Sequence, residues 1–126
     1  MKTLFDTVDQ LQTAMTFHRE RHSVLAGNVA NVDTPGYKPL DLERLDPSGG
    51  GPAAMATTNA HHLQGTDTPD AVVAFADGDA AGADGNQVSL ERELSKIDAN
   101  RVRFQTSAEL ASRRLALLRY TSGDGA

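Results

Sequence analysis

The residues best spaced for chemistry are His18 and His22, one helical turn apart in His18-Arg19-Glu20-Arg21-His22. Imidazoles at i and i+4 share a helix face, as in the helical zinc motif of metalloproteases. That motif needs a glutamate directly after the first His, and here the position is Arg19. No third ligand accompanies the pair, and the flanking arginines repel a divalent cation. His61-His62 stands apart, in the middle of the chain. His18 and His22 therefore read as polar positions on a helix. Asp77-Gly78-Asp79 opens like a calcium-binding loop, but Ala81 and Val88 stand where that loop requires an Asp or Asn and a Glu. It reads as a solvated acidic turn. Nucleophilic catalysis lacks a Gly-x-Ser-x-Gly elbow, and Gly49-Gly50-Gly51 is followed by Pro52 rather than by the Lys-Ser/Thr of a phosphate-binding loop. With no cysteine, the chain has no disulfide, Cys-ligated zinc, iron–sulfur cluster or thiol nucleophile. No enzyme activity, metal, cofactor or small-molecule substrate is expected.

The charge distribution narrows the partners. The net charge of −5 is uneven over 126 residues. Residues 1–45 carry five basic and six acidic side chains, residues 46–87 six Asp and no Lys or Arg, and residues 88–126 seven basic and five acidic. No segment is basic enough for a nucleic-acid footprint, and the six aromatic residues are too scattered to stack bases. The opening Met1-Lys2-Thr3-Leu4-Phe5-Asp6 breaks its apolar run at once, unlike a secretory signal, and no stretch has the roughly 20 apolar residues of a membrane span. The expectation is a protein that does not span a membrane. It is either cytosolic or exported without a cleaved signal peptide.

Whatever the chain does must be positioned by its two ends. Residues 1–32 read as a helix with a heptad seam of Leu4, Val8, Leu11, Met15, His18, His22, Leu25 and Val29, with Thr3 as a candidate cap. Residues 88–126 read as a second seam helix with a frayed tail. Leu90, Leu94, Ile97, Arg101, Phe104, Ala108, Ala111, Leu115 and Leu118 alternate by four and three, and Ser89 is the candidate N-cap. Residues 33–87 read as a turn followed by a Gly/Pro/Asp-rich loop in which only Val72-Val73-Ala74-Phe75 could form a short strand. The fold expected is mainly α: two long terminal helices paired like a coiled coil, simplest as an antiparallel hairpin, forming one structural unit. Phe17 with Val24, and Leu110 with Leu117, read either as ordinary scattered surface apolars or as a second stripe on each helix, which a two-helix hairpin alone cannot bury. On that reading other chains cover it.

The densest local signal is Asn28-Val29-Ala30-Asn31-Val32-Asp33-Thr34-Pro35-Gly36-Tyr37-Lys38. Pro35-Gly36 marks a turn in which Gly36 supplies a positive φ. Asn28 and Asn31, three apart, place carboxamides at a helix end where carbonyls lack partners. Tyr37 offers a rigid anchor with a polar tip.

Asn28, Asn31, Thr34, Gly36 and Tyr37 match the Asn-x-x-Asn-x-x-Thr-x-Gly-Tyr pattern that ends the N-terminal helix of bacterial flagellar axial proteins, and the chain resembles that rod, hook and hook-associated family. Asp33-Thr34-Pro35-Gly36-Tyr37-Lys38 is similar to the proximal-rod version. Thr58-Asn59-Ala60-His61-His62-Leu63 resembles a mid-chain segment of that group, and Asp84 to Glu93 resembles its entry into the C-terminal helix. Pro39 and the Gly/Pro-rich middle depart from the pattern. The resemblance implies a structural subunit of the bacterial flagellar basal-body rod, located in the periplasm. Such a subunit is exported through the flagellar type III apparatus, is polymerised through its terminal helices and transmits torque. Its partners would be itself, other rod proteins, and the export-gate and rod-base adaptor components. The alternative is a cytosolic helical-hairpin adaptor or export chaperone that binds a helix in a groove. Nothing in that role calls for the Asn/Thr-Pro-Gly-Tyr stretch.

Overall fold

The computed structural model describes residues 4–44 and 71–123. The Thr58–Leu63 segment and the Thr3 cap lie outside the described residues. Four elements follow in order: α1 (Leu4–Ala30), β1 (Leu40–Arg44), β2 (Ala71–Phe75) and α2 (Leu90–Thr121). At 1.5 Å per residue the helices are about 40 and about 48 Å long.

Both helices begin and end for local reasons. Ser89 caps α2 from extended geometry, its hydroxyl accepting from the Arg92 N–H, and Glu91 and Glu93 sit in the first turn, where the helix dipole favours acids. At the far end Arg119 sits in the last turn, and the Ser122 N–H donates to the Leu118 carbonyl. α1 tightens as it stops: the Asn31 N–H reaches Asn28 O at 3.1 Å and the Val32 N–H reaches Val29 O at 3.2 Å.

The helices run antiparallel, because Asn28 bonds Glu93 near one end of the pair while His18 bonds Asn100 further along. β1 and β2 form a two-stranded antiparallel sheet with Leu42 opposite Val73. β2 spans the expected strand. β1 lies in the stretch read as loop, although Leu40-Asp41-Leu42-Glu43 alternates as a strand does. The sheet packs against α1, where the guanidinium of Arg44 lies 4.9 Å from the Phe17 ring centroid. On α1, therefore, Phe17 of the second stripe is half covered within the chain. On α2 the second stripe stays open, with Leu110 46% and Leu117 52% exposed.

The core is small. Among the described residues the buried apolar side chains are Leu25 and Leu42, joined by Pro39. The other fully buried side chains are polar: Asn28, Glu93 and Asn100. No helix among the described residues is long and apolar enough to cross a membrane.

Candidate functional site

The signature turn grows out of the end of α1 and is held from three sides. Asn28, fully buried, has every polar atom engaged. Its Nδ2 donates to Leu40 O and to Glu93 Oε2, both at 2.7 Å, and its Oδ1 accepts from the Leu40 N–H at 2.9 Å and the Tyr37 hydroxyl at 3.3 Å. One side chain thus ties α1 to β1, α2 and the turn. Asn31 does a more local job. Its Nδ2 donates back to Gly27 O at 2.8 Å, and its Oδ1 accepts from the Thr34 hydroxyl at 3.0 Å.

Thr34-Pro35-Gly36-Tyr37 closes with the Tyr37 N–H donating to Thr34 O, and Gly36 has φ +70°, as position i+2 of a type II turn requires. The outer rail of this turn comes from the segment leading into α2. The Gly36 N–H donates to Asp84 O and the Gln87 N–H to Tyr37 O, each at 3.0 Å. Gly85, at φ +79°, lies so close that a Cβ there would sit 3.5 Å from Gly36 Cα. Asn86 shares its amide hydrogens among the carbonyls of Asn31, Val32 and Thr34 at 3.0, 2.8 and 2.7 Å, while its own Oδ1 accepts from the Val88 N–H. The sequence does not reveal this role for Asn86, which stands there only within the Asp84-to-Glu93 stretch that resembles the family's entry into the C-terminal helix.

Beneath the turn lies a compact set of charges. Arg21 meets Asp41 in a two-pronged ion pair with both N–O distances 2.7 Å. The hydrogen bonds it donates to Asp41, against the cost of burial, and the nearby Asp41 and Glu93 charges raise the Arg21 pKa. Burial alone would push the Asp41 carboxyl up. The Arg21 fork, the Leu42 N–H and the Arg21 and Lys96 charges together outweigh it and hold Asp41 below its ordinary value. Glu93 completes the group, accepting from Asn28 and, at 2.8 Å, from Lys96 Nζ. Two carboxylates and two cations from three elements thus neutralise one another, which lets Glu93 be buried without an isolated charge.

The seam residues divide. Leu25 is fully buried; Val8, Leu11, Met15, Val29, Ile97, Phe104 and Leu118 are half-buried; Leu90, Leu94 and Leu115 are 43%, 48% and 48% exposed. Leu4 opens α1. His18 is half-buried against Asn100, whereas His22 and Arg101 are exposed. These residues, with Arg19 and Phe104, line a shallow groove of about 210 Å³ between the helices. Asp79 pairs with Arg92 at 2.5 Å. Among the described residues no three His, Asp or Glu side chains are grouped to hold a metal ion.

Comparison with known proteins places this geometry. A family model described as "Flagella basal body rod protein" matches residues 10–38, which run from α1 through the signature turn. The chain is 37% identical over 110 residues to the flagellar basal body rod protein FlgB of Aquifex aeolicus, an alignment covering 86% of each chain. The chain belongs to the FlgB family of flagellar basal-body rod proteins. FlgB of Cereibacter sphaeroides is 32% identical over 82% of this chain and 83% of its own. FlgB of Salmonella typhimurium is 29% identical over 78% and 84%. The residues that hold the turn from the α2 side, Asp84, Asn86 and Glu93, lie outside the stretch that the family model matches.

Proposed function

We propose that this FlgB-family chain is a structural subunit of the flagellar basal-body rod. It is exported uncleaved through the flagellar type III apparatus, polymerises through its terminal helices into the proximal rod, and transmits torque there. One observation carries the reading beyond family membership. A hairpin of two long helices has Leu25 as the fully buried apolar side chain among the described residues, while Leu94, Leu110, Leu115, Leu117 and Tyr120 of α2 stay between 46% and 77% exposed. An apolar surface of this kind on an elongated protomer is the mark of an interface. Neighbouring subunits supply the core that the single chain lacks, and a repeated head-to-tail contact of that sort builds a helical assembly. Its partners in this role are copies of itself, other rod proteins and the components at the rod base.

The test is Leu115→Asp in a motile host. A charge on the α2 face is expected to leave the chain secreted intact from its first residue but absent from purified basal bodies, with motility lost. Normal motility and normal incorporation would sink the reading. Wild-type chain retained in the cytosol, bound to another export substrate, would favour the adaptor role.

A further inference from the structure

The helix pairing holds an oddity that rod membership does not explain. The strongest candidate leucines of α2, Leu90 and Leu94, face outward, and the two positions turned fully inward are Glu93 and Asn100, seven residues apart and each 1% exposed. Each meets a polar group on α1. Glu93 Oε2 accepts from Asn28 Nδ2. Asn100 Nδ2 donates to His18 O at 2.7 Å, and its Oδ1 lies 2.8 Å from His18 Nδ1. Since the Asn100 oxygen can only accept, His18 carries its proton on Nδ1.

We propose that these two buried polar pairs, Asn28–Glu93 and His18–Asn100, select the register and the partner of the terminal helices, a task that the leucine seams leave open. A heptad seam is nearly indifferent to a slip of seven residues, because leucine meets leucine again. The polar pairs are not indifferent. Seven residues either way along α1 from His18 stand Leu11 and Leu25. A one-heptad slip in either direction therefore sets the buried Asn100 carboxamide against a leucine and strips its Oδ1 of the imidazole donor. One of those slips also carries Glu93 beyond the end of α1, away from Asn28. A foreign helix with an apolar seam meets the same penalty. In a coiled coil a single buried Asn fixes register in this way, at some cost in stability. The inference rests on the fold alone, so it stands or falls independently of rod assembly.

The natural absence of cysteine makes the test clean. Spin labels on Thr16→Cys and Arg103→Cys, both exposed positions on the two helices, report register by pulsed electron resonance on the full chain. The unmodified interface is expected to give one narrow distance. Glu93→Leu and Asn100→Leu, together with His18→Leu on α1, replace the two inward polar groups of α2 and one of their partners with seam-like residues, while Asn28 keeps its bonds to Leu40. This variant is expected to keep its helical circular dichroism and to gain a second population, from a displacement of about 10 Å along the axis. A population that disappears on dilution with unlabelled chain would be helix exchange between copies, which is loss of partner selection and also supports the proposal. The exchanged pair His18→Asn with Asn100→His is expected to restore a single distance. One narrow, unshifted distance in the helical triple variant overturns the proposal. Should the triple variant not fold, Glu93→Leu alone and His18→Leu with Asn100→Leu are each expected to broaden the distribution, and a narrow distance in both overturns it equally.

Discussion

At the scale of single residues, Gly36 and Asp41 show how little the turn can tolerate and why. A Cβ on Gly36 would meet nothing within 4 Å, so space does not demand glycine; the +70° φ does. Gly36→Val is therefore expected to cost about 1–2 kcal/mol, and Gly36→Asn, which enters left-handed geometry readily, clearly less. Urea midpoints of the two variants check this, and equal losses would mean that a neighbour, rather than φ, sets the requirement. Asp41 gives the chain an acid limit. Its folded pKa is held below the ordinary 3.8, so its contribution is complete above that value and is lost as pH falls through the lowered one. Stability measured from pH 6 down to 2 is expected to fall less steeply below about 4 in Asp41→Asn than in the native chain. An unchanged slope would remove the Arg21–Asp41 pair from the account.

Among the elements, the helices and the turn were legible in the sequence, and the face that α2 presents was less so. The seam rule counts apolar residues. It found the span of α2, its Ser89 cap and the half-buried Phe104, Ala108, Ala111 and Leu118, but not the exposure of Leu115. Near its start the helix is rolled so that Glu93 and Asn100, each one residue before an expected seam position, face α1. A one-residue shift is about 100° of rotation. The reason is that Asn28 and His18 are polar groups needing partners inside the pairing, and an unmet buried amide outweighs a half-exposed leucine. The seven-residue spacing of Glu93 and Asn100 was the available signal. Asn86 offered none, because its role exists only once residues 31–34 arrive beside it. Its removal tests how far the segment before α2 secures the end of α1. Asn86→Ala removes the side-chain partner of Val32 O and the Val88 N–H, and leaves Asn31 O and Thr34 O with only the Thr34 and Tyr37 N–H donors; it is expected to cost on the order of 2 kcal/mol, with the urea midpoint lowered and the slope kept. A midpoint within error of the native chain would show that water replaces the clamp.

For the whole molecule, the decisive quantity is how much order one chain keeps by itself. Its buried apolar core is Leu25 and Leu42 among the described residues, set against two helices of 27 and 32 residues. Helices of that length with so little burial are marginal alone. Far-UV circular dichroism with light scattering over a wide concentration range is expected to show a hairpin that is helical but only marginally stable in dilute chain, with helicity and thermal midpoint rising as particles grow. A compact, fully helical monomer whose signal ignores concentration would show that the polar network suffices, and the adaptor reading would gain.

The clamp on the signature turn also imposes an order in time. Residues 28–37 leave the ribosome early, yet the groups that secure them, Asp84, Asn86 and Glu93, follow some fifty residues later. At roughly 5–20 residues per second, that is several seconds during which the motif has its local bonds but lacks its partners from the α2 side. The best-marked part of the chain is thus among the last to be locked in place.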